Sequence, residues 1–164
     1  MKPASTSRRR PEILRVQPVD ENHQVLTLQR AKASKAVYRR KPCAECPWRK
    51  DAPVGAFPAE AYRHSAETAH DLSNHQFSCH MSGANEPATC AGFLLRGAED
   101  NLAVRMAMFE GRYDPTQVHD GGVELYEGYR SMAIANGVRA DDPAIAHCRG
   151  DDELPLSHYR LPKV

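Results

Sequence analysis

Four cysteines carry the most chemistry in this chain. Cys43 and Cys46 form a C-x-x-C, and Cys79 and Cys90 follow with the spacing C-x2-C-x32-C-x10-C. A C-x-x-C turn brings two sulfurs close enough to share one metal. Four thiolates complete a tetrahedral or cluster-binding set. The set reads as one site made of Cys43, Cys46, Cys79 and Cys90. Cys43-Ala44-Glu45-Cys46 is flanked by Lys, Pro, Trp and Arg, which is poor context for ordinary core cysteines. A thioredoxin-like dithiol needs a strand before it and a helix directly after it. Here Pro47-Trp48-Arg49-Lys50-Asp51-Ala52-Pro53 follows, which is loop chemistry.

The occupant stays open between a zinc ion and an iron–sulfur cluster. Zinc is the common partner of intracellular four-cysteine sites. Against an ordinary zinc ribbon, there is one C-x-x-C where ribbons use two. Proline follows Cys46, as it does a ligand cysteine in ferredoxin-type clusters. Cys148, after His147, reads as a spare thiol. His64, His70 and His75 read as surface residues, and His80 is a minor ligand candidate because adjacent residues rarely bind one ion. Arg49, Lys50 and Asp51 are loop charges beside the cysteine turn. No nucleophile elbow, zinc-protease helix, phosphate loop or dinucleotide fingerprint is present, so no catalytic residue is assigned.

The elements that must position these cysteines follow from the pattern around them. Gly55-Ala56-Phe57-Pro58 opens a helix that should end near Leu72, since proline suits a first helical turn. Gln76 to Cys79 is a short extended piece. Leu94, Leu95, Ala98, Leu102, Met106 and Phe109 predict one long helix over 91–109, with Cys90 at its N-terminus, where partial positive charge favours a thiolate. Leu125, Tyr129, Met132 and Ala133 predict another helix over 123–135, stopped by Asn136-Gly137. Val25, Leu26 and Leu28 could begin a strand. The expected fold is a small irregular α+β domain, mainly helical, with the four-cysteine site between loops and a helix N-terminus.

Length and charge bound the rest. The chain has 164 residues, a prior for one domain, and five cysteines, too few and too odd a number for a disulfide scaffold. Residues 1–41 carry 11 Lys and Arg against 3 Asp and Glu, while 42–164 carry 11 against 18. A basic segment on an acidic body suggests a polyanion such as nucleic acid, or contact with the body itself. The division reads as a disordered basic arm over 1–20, a metal-binding domain over 21–138 with its core at 42–110, and an acidic Pro-rich tail over 139–164. No apolar run is long enough to span a membrane, and no secretory pattern opens the chain, so a cytoplasmic protein without a membrane partner is expected.

Pro42-Cys43-x-x-Cys46-Pro47-Trp48-Arg49, Phe77-x-Cys79-His80 and Cys90-Ala91-Gly92-Phe93 together resemble a family of uncharacterised small bacteriophage and bacterial proteins with the signature C-x-x-C-P-[WY]-R, F-x-C-H and C-A-G-[FW]. The resemblance covers residues 42–110. It implies a shared role for the four cysteines and a phage or prophage origin, and it brings no activity. The leading expectation is a metal-stabilised regulatory or nucleic-acid-associated binding protein. The alternatives are an iron–sulfur redox protein or accessory enzyme of nucleotide or DNA metabolism, and a phage factor that binds a host protein.

Overall fold

The structure is a computed structural model that describes residues 10–33 and 35–150. Its elements are the strands β1 (Glu12–Pro18) and β2 (Gln24–Gln29) and the helices α1 (Ala59–Ser65), α2 (Ala91–Arg96), α3 (Leu102–Phe109) and α4 (Tyr129–Ala135), with four short 3-10 turns between or after the helices. Helical residues make up 29% of the described chain, so the fold is α+β and irregular rather than mainly helical. Among the described residues no helix is long and apolar enough to cross a membrane.

β1 and β2 form one antiparallel hairpin with a register shift between Ile13 and Arg15. This corrects the disordered arm of residues 1–20 over Glu12–Pro18. β1 lacks apolar alternation of its own and exists because β2 supplies its backbone partners. Residues 1–9 lie outside the described chain. The 3-10 turn at Pro143–Ile145 likewise corrects the loose tail read from residue 139. Ile145 is fully buried and Cys148 nearly so, which ties 139–149 to the body. Residues 151–164 lie outside the described chain.

The largest fully buried side chains are Trp48, Phe93, Leu125, Met132 and Ile145. Trp48 is the hub. Its ring meets Phe77 at 5.9 Å, Tyr129 at 5.8 Å and Phe93 at 6.3 Å between centroids. α4 buries Tyr129, Met132 and Ala133 of the expected stripe, but it starts at Tyr129 rather than at 123, and Leu125 lies before it, buried and bridged to Arg49. The Tyr129 hydroxyl donates to the Tyr62 carbonyl at 2.6 Å and fixes α4 against α1.

The single long helix expected over 91–109 is two. α2 ends at Gly97, and α3 begins after Asn101, whose side chain accepts the Val104 N–H. The Asn101 amide also donates to the carbonyls of Thr68 and His75 at 3.2 and 2.6 Å. A capping side chain with three such partners stabilises a helix start more than continued propensity stabilises its middle. The break changes the helical phase. α3 buries Val104 and Ala107 and leaves Leu102, Met106 and Phe109 exposed. α1 is also shorter than expected, because the chain tightens into a 3-10 turn at Ala66–Ala69 before Leu72.

Candidate metal centre

Three backbone pieces deliver the four cysteines. The first is the turn that starts at Cys43, closed by the Cys46 N–H on the Cys43 carbonyl at 3.2 Å and continued by the Arg49 N–H on the Cys46 carbonyl at 3.0 Å. Beyond it Lys50 pairs with Glu124 and Tyr126 with Trp48 through backbone bonds of 3.0 and 2.9 Å, so the turn is anchored to the segment before α4.

The second piece carries Cys79 and the third Cys90. The Cys79 N–H donates to the Ala88 carbonyl at 2.7 Å, and the Cys90 N–H to the Phe77 carbonyl at 2.8 Å. Thr89 is the junction: it bridges Ser78 on one side and Tyr38 on the other. The loop between them folds on the Ser82 hydroxyl, which donates to the Cys79 carbonyl and accepts the Ala88 N–H.

The result brings the sulfurs together in two pairs. The Sγ atoms of Cys46 and Cys90 are 3.7 Å apart, both buried. Cys79 faces Cys43, and Cys43 also feels the charge of Cys46. Backbone N–H groups point at the sulfurs: Glu45 at Cys43, Trp48 and Gly92 at Cys46, and Gly92 and Phe93 at Cys90. Among the described residues no group of three or more His, Cys, Asp and Glu side chains forms a ready-made metal cage.

The thiols differ in acidity for stated reasons. The Cys90 thiol donates to Cys46, and that bond, with help from the Trp48 and Gly92 N–H groups and Arg49, brings Cys46 down to about 7 despite its burial. Cys90 is raised because it gives that hydrogen bond and because it is buried. For Cys43 burial comes first, followed by the neighbouring Cys79 and Cys46, and raises it to about 11. Cys46 is therefore the most acidic of these three thiols, and a nearby cation would favour the thiolate form of Cys43 and Cys90 as well.

Close backbone packing holds this arrangement. A Cβ on Gly92 would lie 2.5 Å from the Trp48 Cβ, and one on Gly97 2.4 Å from Trp48 Cη2. Gly92 in α2 and Gly97 at its C-terminal cap are therefore required by the indole. Arg49 makes a two-pronged pair with Asp51 at 2.7 Å per contact and reaches the Cys43 carbonyl at 3.3 Å, so these charges brace the cysteine turn.

The remaining candidates are corrected in part. Cys148 is no spare thiol of a tail. It is 4% exposed, its Sγ faces the Ala66 carbonyl at 3.6 Å, and burial raises it to about 12. His80 turns to Glu45 at 3.6 Å and to the Phe57 ring at 5.0 Å. His64 is half-buried beside Gln17 at 2.8 Å, and the buried Nε2 of His70 has no hydrogen-bond partner, so neither is a plain surface residue. Tyr62 and Tyr126, beside the cysteine turn, were not signalled by the sequence, because isolated tyrosines have no spacing that marks them.

Residues 38–149 match the model of a family of unknown function (DUF6283). The matched segment contains all five cysteines and leaves out the β1–β2 hairpin. No curated protein and no solved structure matches the chain.

Proposed function

This chain belongs to the family of unknown function DUF6283, and from that premise we propose a metal-stabilised binding protein whose Cys43, Cys46, Cys79 and Cys90 hold one zinc ion. The observation that carries the reading is the Cys46–Cys90 separation of 3.7 Å. A tetrahedral ion bonded to sulfur at about 2.3 Å separates its ligands by about 3.8 Å. The pair thus already has the edge of such a tetrahedron. Cys43 and Cys79, which face each other, would supply the opposite edge by rotating their side chains. N–H donors aimed at three of the four sulfurs favour thiolates, the form that binds metal.

Within that reading the protein acts by binding, with nucleic acid met by the basic segment 1–41. The folded part of that segment already uses some of its charge internally: Arg15 pairs with Glu67 at 2.5 Å and Lys32 with Glu110 at 2.9 Å. The uneven cysteine spacing and Pro47 favour an iron–sulfur cluster as the second reading.

Anaerobic purification followed by metal analysis tests both. One equivalent of zinc in a colourless protein, lost in Cys46→Ser and Cys90→Ser but kept in Cys148→Ser, is the expected result. A brown protein containing iron and acid-labile sulfide would move the second reading ahead. A metal-free protein with four titratable thiols in that set would overturn both.

A further inference from the structure

α3 presents Leu102, Met106 and Phe109 at i, i+4 and i+7, which places them on one stripe of the helix. They are 38%, 44% and 88% exposed. Leu72 adds to this face. Its N–H donates to the Asp100 carbonyl at 2.9 Å, and the Leu102 N–H donates to the Ser73 carbonyl at 2.9 Å, so residues 72–73 lie against the start of α3. Leu72 is 59% exposed and has φ 60°, a left-handed conformation that leucine rarely takes. Four exposed apolar side chains thus gather at the start and along the outer stripe of α3.

The described chain ends beside this face. Cys148 bridges His70. Arg149 then grips the Asp71 carboxylate with two contacts of 2.9 Å and reaches Asp100 at 3.6 Å. Asp71 precedes Leu72, and Asp100 lies two residues before Leu102. The chain therefore leaves Gly150 at the end of α3 where the apolar stripe begins.

Two segments lie outside the described ends of the chain, and their compositions differ. Residues 1–9 hold no leucine, isoleucine, valine or aromatic residue, whereas 151–164 hold Leu154, Leu156, Tyr159, Leu161 and Val164. Reach is sufficient. Leu154 lies at most about 14 Å of extended chain beyond Gly150, and the whole segment spans at most about 46 Å, while α3 is about 12 Å long. A second copy of the chain is a poorer occupant. A stable interface needs about 800 Å² from each partner, more than four partly exposed side chains supply. A tethered segment works at millimolar effective concentration and needs only a small contact.

We propose that residues 151–164 fold back over the face made by Leu72, Leu102, Met106 and Phe109, with Leu154 and Leu156 as the first anchors. Pro155 disfavours helix at Leu154, and in an extended chain Leu154 and Leu156 share one face. The contact does not depend on what the four cysteines hold.

Photocrosslinking of the full chain tests it. Phe109→p-benzoylphenylalanine puts the photoreactive ring at the most exposed position of the stripe, where the body's packing is untouched. Irradiation at low micromolar concentration, followed by digestion and mass spectrometry, should give an intramolecular link to a peptide within 151–164. That link should fall at least fivefold in Leu154→Ser/Leu156→Ser. Hydrogen exchange of the α3 amides, in chains with Phe109 intact, should run at least threefold faster in the same double variant and in a chain ending at Gly150, with metal content unchanged. A link to a second chain or to residues 1–9, absence of any link to 151–164, a link that survives the double variant, or unchanged exchange in α3 overturns the proposal. Metal analysis of the same samples reads the zinc assignment separately, since a metal-free protein that still gives the 151–164 link removes that assignment alone.

Discussion

The body around the cysteines and the hairpin before it are held together by different physics. Every residue of the buried core lies between Cys46 and Cys148. There the sulfurs, Trp48 and its neighbouring rings are packed with no room for an extra methyl group at Gly92 or Gly97. The hairpin contributes nothing to that core, and Ile13, Leu14 and Val16 of β1 stay about half exposed. Its hydrogen bonds to the body are Arg15 to Glu67, Gln17 to His64, and, just past β2, Arg30 to the Pro87 carbonyl at 2.5 Å, beside a ring contact of His23 with Phe57 at 6.2 Å. The body should therefore respond to thiol chemistry and to volume, and the hairpin to charge and salt.

The strongest way to break this contrast is to remove a sulfur. Under the proposed zinc reading, Cys46→Ser or Cys90→Ser should abolish a cooperative thermal transition of the body, because binding of a structural metal is itself folding free energy of several kcal/mol or more. Deleting residues 1–30 should leave that transition and the metal in place. Circular dichroism melts of the three proteins, with and without a chelator, decide it. Equal losses in all three would erase the distinction.

A smaller effect is expected from volume. Gly97→Ala places a methyl group within 2.4 Å of Trp48. It should cost about 1–3 kcal/mol, the usual range for overpacking. The backbone at Gly97 has φ −126°, which alanine adopts freely, so the loss would report on crowding against Trp48 and Phe93 rather than on backbone strain. Urea denaturation showing no change would mean that the α2–Trp48 contact is looser than drawn.

Next comes pH. Cys148 has its thiol raised from 9.0 to about 12 by burial. Between those values the unfolded chain releases this proton and the folded chain keeps it, so stability falls as pH rises. The stability due to this group is full below pH 9 and declines toward pH 12, at no more than about 1.4 kcal/mol per pH unit. Cys148→Ala should flatten that part of the alkaline limb. Identical profiles for the two proteins would return Cys148 to the role of a bystander.

The smallest effects belong to the N-terminal segment. Arg15→Ala removes a half-exposed ion pair with Glu67 and should cost less than about 1 kcal/mol, and less still in high salt. Deleting Met1 to Arg10 removes four positive charges and no ligand. Nucleic-acid binding should weaken with a shallower salt slope, since fewer counterions are released. Absence of nucleic-acid binding by the full chain at low salt would remove that role from the segment.

The sequence disclosed local features and concealed those made by distant packing. The turn starting at Cys43, the extended piece before Cys79, the start of α2 after Cys90 and the buried stripe of α4 were all visible, because each depends on neighbouring residues. The break between α2 and α3 was concealed although both signals were present. Gly97 and Asn101 are ordinary stop and cap residues, but the apolar period runs through them. What decides is Trp48, some fifty residues away, and the carbonyls of Thr68 and His75. Cys148 read as a tail thiol because nothing near it is apolar enough to predict burial; its cover comes from Ala66 and the helix it ends. β1 was hidden for the same reason, since its partner strand makes it.

Trp48 has a consequence for how the protein can be watched. It is the single tryptophan of the chain, fully buried, one residue removed from the second half of the C-x-x-C, with an indole N–H that has no hydrogen-bond partner. An indole in such dry surroundings emits at short wavelength, and its fluorescence shifts to the red when water reaches it. A colourless ion held by Cys46 and Cys90 leaves that emission bright, whereas a visibly absorbing cluster at the same sulfurs drains it by energy transfer. Trp48 would thus report from beside the site on whether the cysteines hold a colourless ion or an absorbing cluster.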